Sequence, residues 1–240
     1  MLTKEIKISS FDVFPNSILK PSALMRHMQQ LAREDCDAMG CTYRFMRSIN
    51  TVFVMTKCAL EFFRPIREGE IVSVRTFNNR IEGITFTREF EIRAGGEEAA
   101  HATTSWVLVR FDTRALVRPK AFPVQFESLG MQCRTLSVPR AFDLLEMTER
   151  GSRIIRVSDL DENNHLNNCI YTDIALDALP SFDGCSSFVS DLKLIFRHEA
   201  RRGDVLKLAS REHENVSIVT AFDETSAAAC FEAELTFKEV

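Results

Sequence analysis

Over residues 4–11 apolar and polar side chains alternate, with Ile6 and Ile8 on one side, and this period predicts a strand. Phe14-Pro15-Asn16 marks a turn. Pro21-Ser22 then opens a helix, because a first helical turn has N–H groups without partners and tolerates proline. Leu24, Met28, Leu31 and Ala32 form an apolar stripe at helical spacing, and Gly40 ends it. A loop or short second helix is expected over 41–49. Four strands follow, over 51–63, 71–81, 85–94 and 100–112. Pro65 and Gly69 separate the first two, while Gly83 and the pair Gly95-Gly96 mark hairpin turns.

Residues 113–140 break this order. They hold Pro119, Pro123 and Pro139 and no clear period, so they read as a linker, with a short helix expected over 124–130. The pattern restarts near Ala141. A strand over 154–157 precedes a polar run, an apolar helix over 169–179, and strands over 188–196, 205–212, 216–223 and 227–238. Glu214-Asn215 and Glu224-Thr225 fall where tight turns belong. A helix followed by an antiparallel meander, met twice, predicts an α+β chain of two tandem hotdog domains. In each, a sheet wraps a central helix. The expected division is 1–115, a linker over 116–140, and 141–240.

The halves align residue by residue. Residues 11–18 lie against 158–165, and 62–70 against 196–204, with a longer helix-to-strand connection in the first half. Such self-similarity sets the architecture. At matched positions Phe14 stands for Asp161, Ile18 for His165 and Pro65 for Glu199. Three polar groups of the second half are apolar in the first, which suits the first half to hold something greasy.

Residues 158–171 read SDLDENNHLNNCIY. Asp159, Asp161 and the four Asn favour turns and helix caps. The apolar stretch behind them lacks Gly and Pro until Pro180, so the polar run lies at a helix N-terminus. There, outward N–H groups favour developing negative charge. Carboxylate, carboxamide and imidazole are also the groups that move protons and steady an oxyanion. Composition by itself favours an Asx-rich capping loop with one exposed His.

Asp161, Asn163, His165, Asn167 and Asn168, followed by Tyr171, form D-x-N-x-H-x-N-N, which resembles the signature of the acyl-acyl carrier protein thioesterases. Those enzymes cut the thioester between a fatty acyl chain and its carrier. Their fourth active-site position is a Glu on the next strand, in an aromatic-Arg-x-Glu stretch, and Phe196-Arg197-His198-Glu199 is similar to it. Some members carry a Cys after that Glu. Ala200 stands here, so a nucleophilic thiol at that place is excluded. The likeness runs from the first helix through Trp106-Val107-Leu108 and Arg118-Pro119 to the last strand. It implies a pseudo-dimer of two repeats, the N-terminal one binding the acyl chain and the C-terminal one carrying the active-site residues.

Thioester hydrolysis needs an activated water or a nucleophile and a stabilised oxyanion. Asp161 and Glu199 are the candidate base or nucleophile, and a pKa raised by burial or by a neighbouring charge would help either. Asn163 would orient water or a carboxylate. His165 would polarise the carbonyl, pass a proton or hold a carboxylate. N–H groups near Leu166, Asn167 and Asn168 would suit the oxyanion. No cofactor or metal is expected. Arg197, Arg201 and Arg202, with Arg64 and Arg67 at the matched strand end, would offer a basic rim to an acidic carrier protein bearing a 4'-phosphopantetheine-linked acyl chain. His27, His101 and His213 read as surface residues. His198 would face away from Glu199 on a strand.

Of 240 residues, 45% are hydrophobic and 27% charged, which describes a globular chain with a real core. A net charge of −4 argues against a nucleic-acid binder. Nineteen Phe against one Trp and two Tyr supply apolar area without polar handles, for a core or for an acyl groove. Seven scattered Cys with no C-x-x-C read as thiols of a cytoplasmic protein, Cys169 among them packing in its helix. No secretory signal or membrane span is visible. The alternatives are an acyl-coenzyme A thioesterase and a non-catalytic acyl-binding module, the latter disfavoured by the complete polar set. Homodimerisation is left open.

Overall fold

Pro21 fills the first position of a helix, α1 (Pro21–Ala38), that buries Leu24, Met25, Met28 and Leu31 and leaves Arg26 and Arg33 at its margin. It ends where Gly40 takes a φ of 82°. The computed structural model describes residues 1–126 and 133–240. Its other helices are α2 (Tyr43–Ser48) and α3 (Ile170–Asp177). The strands are β1 (Leu2–Lys7), β2 (Thr51–Phe62), β3 (Ile71–Glu82), β4 (Thr85–Ala94), β5 (Glu97–Arg110), β6 (Thr148–Ile154), β7 (Ser187–Phe196), β8 (Val205–His213), β9 (Val216–Asp223) and β10 (Ala229–Glu239).

Among the described residues these strands form one antiparallel sheet in the order β1-β3-β4-β5-β2-β7-β10-β9-β8-β6. Reading outward from the middle, each half presents the same sequence of strands. The halves meet where β2 pairs β7, from Lys57↔Ile195 to Glu61↔Asp191. The helices sit together on the wrapped side: Arg26 of α1 pairs with Asp173 of α3 at 3.2 Å, and the Thr172 hydroxyl lies 3.3 Å from Met25 Sδ. The tandem hotdog architecture is therefore present.

The duplication reaches individual hydrogen bonds. Phe14 N–H donates to Ile18 O at 2.8 Å, and Asp161 N–H to His165 O at 2.8 Å. Leu19 N–H reaches Ile66 O, and Leu166 N–H reaches Ala200 O, each at 2.8 Å. Ser17 and Asn164 share a left-handed backbone, with φ 62° and 63°. Only the side chains differ. Phe14 packs edge-on against Phe182 with ring centroids 5.2 Å apart. A Cβ at Gly184, itself at φ 66°, would come within 3.3 Å of Phe14 Cδ1. Phe14 and Ile18 close the first copy of this loop with the protein's own packing.

Several expected boundaries moved for local reasons. The first strand stops at Lys7 because the Asp12 carboxylate accepts Ser9 N–H and turns the chain. The strand expected over 154–157 is instead the end of β6. Residues 157–159 form a 3-10 turn, in which Asp159 accepts Arg156 N–H at 2.8 Å and pairs with Arg153 at 2.8 Å. Residues 124–126 are not helical, and the rest of the helix expected over 124–130 lies outside the described residues.

Residues 133–140, the described end of the linker, form a strap against the sheet. Lys57 of β2 donates to Val138 O and Pro139 O, and Arg197 to Arg140 O. Beneath it lies a buried polar network. His101, expected at the surface, is 1% exposed and sits 3.2 Å from the Glu89 carboxylate. Glu89 also accepts from Thr103, Asn79 and Thr135, the last belonging to the strap. Burial by itself would raise the Glu89 pKa, but these hydrogen bonds outweigh it and hold the carboxyl below its usual range. A pKa lower in the folded than in the unfolded chain contributes stability above the unfolded value and loses it as pH falls. Glu89→Leu should therefore lower the unfolding free energy by about 3 kcal/mol, since it strands buried donors. Urea unfolding at neutral pH measures this, and the deficit should shrink in acid. A neutral-pH change under about 0.5 kcal/mol would show that the strap does not depend on the network.

Candidate active site

Asp161 shapes the polar loop with its own side chain. Its Oδ1 accepts the N–H of Asn163 at 2.8 Å and of His165 at 3.2 Å. The loop then needs a left-handed residue, and Asn164 supplies it at φ 63°, a conformation Asn tolerates. Asp161 Oδ2 takes no part in these bonds. Asn167 accepts Cys169 N–H on Oδ1 at 2.9 Å in the turn that leads into α3. Leu166 and Asn167 N–H groups are spent on Ala200 O and Asp159 O. Of the amides expected to face an oxyanion, Asn168 is the one outside those bonds.

His165 is half-buried, and its Nε2 lies 3.3 Å from Glu199 Oε2. Glu199 is not on a strand as its pattern suggested. The β7 ladder stops at Phe196, and the next two N–H groups, of Arg197 and His198, both turn to Cys230 O at 2.9 and 3.2 Å. Tyr171 pins the resulting loop: its hydroxyl accepts Ala200 N–H at 3.3 Å and reaches His198 O at 3.5 Å. Burial pushes the Tyr171 phenol well above its ordinary value, so it remains a hydroxyl.

The first half completes the site. Arg114, in the turn after β5, places Nη2 2.8 Å from the same Glu199 Oε2. Tyr43 of α2 donates to Asn163 Oδ1 at 3.2 Å, and Arg33 of α1 pairs with Glu162. Asp161, Asn163, His165, Asn167, Asn168 and Glu199 all line one cleft of about 620 Å³, with Gln29, Phe53, Trp106 and Arg114 opposite. A second, more apolar recess of about 230 Å³ shares Gln29, Phe53, Trp106 and Asn163 with the cleft. Phe86, Met46, Cys41 and Phe126 continue its wall, and Phe53 meets Phe86 edge-on at 5.1 Å. Arg88 lines it too, paired with Asp35 at 2.8 Å with both side chains buried. Met25 and Met28 are 1% and 2% exposed and pack in the core.

Cys169 is fully buried, its thiol 3.4 Å from Gln29 Oε1, and burial pushes its pKa far above the ordinary thiol value. Burial of this kind works against a thiolate nucleophile there. Arg197 is committed to Glu232 at 2.7 Å and to the linker, while Arg201 and Arg202 are exposed beyond the cleft. His27 faces Asp12 at 3.9 Å, and His198 and His213 are exposed. Sequence reasoning missed Arg114, Tyr43, Gln29 and Trp106, because each reaches the site across the seam between halves and has no local pattern to betray it.

Residues 1–121 match the family model described as acyl-ACP thioesterase N-terminal domain, and residues 145–239 the one described as acyl-ACP thioesterase C-terminal domain. The chloroplastic oleoyl-acyl carrier protein thioesterase of Coriandrum sativum is 28% identical over 94% of this chain and 67% of its own length. The chloroplastic oleoyl-acyl carrier protein thioesterase 2 of Arabidopsis thaliana is 22% identical over 83% of this chain, which spans only 59% of that relative's length. The crystal structure of an acyl-ACP thioesterase from Bacteroides thetaiotaomicron superposes with a TM-score of 0.89 at 19% identity, covering 99% of this chain and 97% of the other, a likeness of fold. Two family models that together span nearly the whole chain settle its kinship: it belongs to the acyl-ACP thioesterase family.

Proposed function

We propose that this protein hydrolyses the thioester of fatty acyl chains carried on acyl carrier protein, releasing free fatty acid and ending elongation. One observation carries the reading: the polar side chains of a thioesterase-type motif converge on a cleft that shares its wall with an apolar recess. The acyl chain lies in the recess of the first half, and the thioester in the cleft. A water attacks the carbonyl carbon, the carbon–sulfur bond breaks, and the pantetheine leaves as thiol. Asp161 Oδ2 is the oxygen left to take the water's proton. His165, with Nε2 turned to Glu199, has Nδ1 left to donate a proton toward the developing oxyanion or the departing sulfur, and the Asn168 amide is the remaining backbone donor. Arg201 and Arg202, exposed and unspent on the cleft, suit an acidic carrier better than Arg197 does. The reaction belongs to a reducing compartment, the cytoplasm, where seven scattered thiols persist. An acyl-coenzyme A thioesterase would use the same groups, so the substrate carrier is the point to test.

Steady-state hydrolysis of acyl-carrier and acyl-coenzyme A substrates from short to long chains should favour the carrier-bound forms. A clear preference for coenzyme A esters would overturn the assignment. Asp161→Ala and Glu199→Ala should each lose at least about a hundredfold in turnover with the fold retained, as expected for groups that move or steer protons. Near-normal turnover removes the altered carboxylate from the mechanism. Cys169→Ser should remain active, and a folded but dead Cys169→Ser protein would revive a thiol route.

Phe53 touches both cavities, so Phe53→Ala should move the preferred acyl chain to longer lengths. A methylene is worth about 1–3 kcal/mol in such a pocket, so the shift is graded and hydrolysis survives. Leu176→Ala in α3 should cost about 2–5 kcal/mol of stability and leave the product profile alone. The same panel, with thermal unfolding beside it, decides. A profile that follows Leu176 and ignores Phe53 would contradict the proposed division between the halves.

A further inference from the structure

We propose that Arg114 is a positioning residue of this active site: reaching over from the first repeat, it fixes the Glu199 carboxylate against His165. This rests on the thioesterase reading and adds to it a residue outside the motif. Glu199 Oε2 is the shared acceptor, 2.8 Å from Arg114 Nη2 and 3.3 Å from His165 Nε2. A guanidinium stays charged at any working pH, so it favours the ionised, accepting form of Glu199. A carboxylate held so accepts Nε2–H and orients the imidazole, leaving Nδ1 as the ring nitrogen that the proposed chemistry uses. Neither partner belongs to the loop after β7 that carries Glu199, and the two come from different repeats.

The turn is built to hold that arginine. Arg110 N–H donates to Ala115 O at 2.8 Å, Arg114 N–H to Arg110 O at 3.0 Å, and Val117 N–H to Leu108 O at 2.8 Å. Arg114 itself sits at φ 59°, a left-handed conformation sparsely populated by residues with a side chain. Its guanidinium lies 5.7 Å from the Phe111 ring, and the same ring carries Arg47 of α2 at 3.2 Å. An ion pair as exposed as this one adds little to folding stability. Its removal should be felt in the chemistry more than in the fold.

The other charged or titratable groups lining the cleft around Glu199 are Asp161, Glu162 and Tyr171 across the loop, Arg197 and His198 beside it, and Arg26 and Arg33 on α1. Arg26 pairs with Asp173, Arg33 with Glu162 and Arg197 with Glu232, so none replaces Arg114 at Oε2.

The test uses the full chain with an acyl-carrier substrate and with an acyl N-acetylcysteamine thioester, which has neither carrier nor phosphate. For Arg114→Gln, kcat should fall on both substrates by roughly tenfold to a hundredfold, part of what proton-moving groups contribute, with KM changing less than about threefold. The acid limb of kcat/KM should move to higher pH, because the carboxylate has lost its cation. Arg114→Lys should recover part of the loss, and Arg114→Gln should add nothing in a Glu199→Gln background. The His165 imidazole, titrated by NMR, should shift its pKa upward in Arg114→Gln as a nearby positive charge disappears. An unchanged kcat, a KM rise confined to the carrier substrate, full additivity with Glu199→Gln, or an unmoved His165 titration would each overturn the proposal. A wild-type protein inert on every thioester would sink the thioesterase reading, while the His165 titration would still report on Arg114.

Discussion

The pairing of β2 with β7 is the constraint on which the rest depends. Five consecutive register positions join two half-sheets into one and fix how the first repeat faces the second. Because of that seam, the motif loop of the second repeat meets α1, α2 and the β5 turn of the first. Asn163 finds Tyr43 there, Glu162 finds Arg33 and Glu199 finds Arg114. The described end of the linker crosses the same seam, tied to Lys57 on one side and Arg197 on the other. The cleft therefore belongs to neither repeat alone.

Within each repeat the loop backbone is the same object. The bonds from residue 14 to 18 and from 161 to 165 have the same length, and the left-handed residue follows at the same place. The difference lies in what the frame holds up. In the second copy the leading residue is an Asp that caps two amides and keeps an oxygen in reserve. In the first it is Phe14, locked against Phe182 above Gly184. One copy of the frame turns polar side chains into the cleft and the other packs into the fold, so a symmetric scaffold has its polar cleft on one side.

Much of this was legible in the sequence, and the divide is physical. Alternation, helical stripes and hairpin glycines such as Gly83 and Gly95-Gly96 are local signals, so strands, helices and the repeat appeared from pattern alone. Asp161, Asn163, His165 and Glu199 were legible because a spaced motif lies on one chain segment or its matched partner. Burial of polar groups was not. His101 looked like a surface residue because its partners Glu89, Thr103 and Thr135 are gathered only by the sheet and the strap. Arg114 was silent because an arginine in a turn says nothing about a carboxylate 85 residues later. The apolar replacements at Phe14 and Ile18 suited the first half to something greasy, yet these two side chains pack within the fold. The recess formed elsewhere, around Phe53 and Phe86.

The most direct measurement is a crystal structure with a non-hydrolysable acyl-pantetheine thioether. If the frame acts from one side only, the reacting end of the analogue lies within hydrogen-bond reach of Asp161 and His165, and its alkyl chain runs past Phe53 into the recess beside Phe86 and Met46. An analogue seated instead in the matching corner at Phe14 and Phe182, with the recess empty, would contradict the assignment of chemistry to one copy of the loop and of the acyl chain to the first repeat's recess.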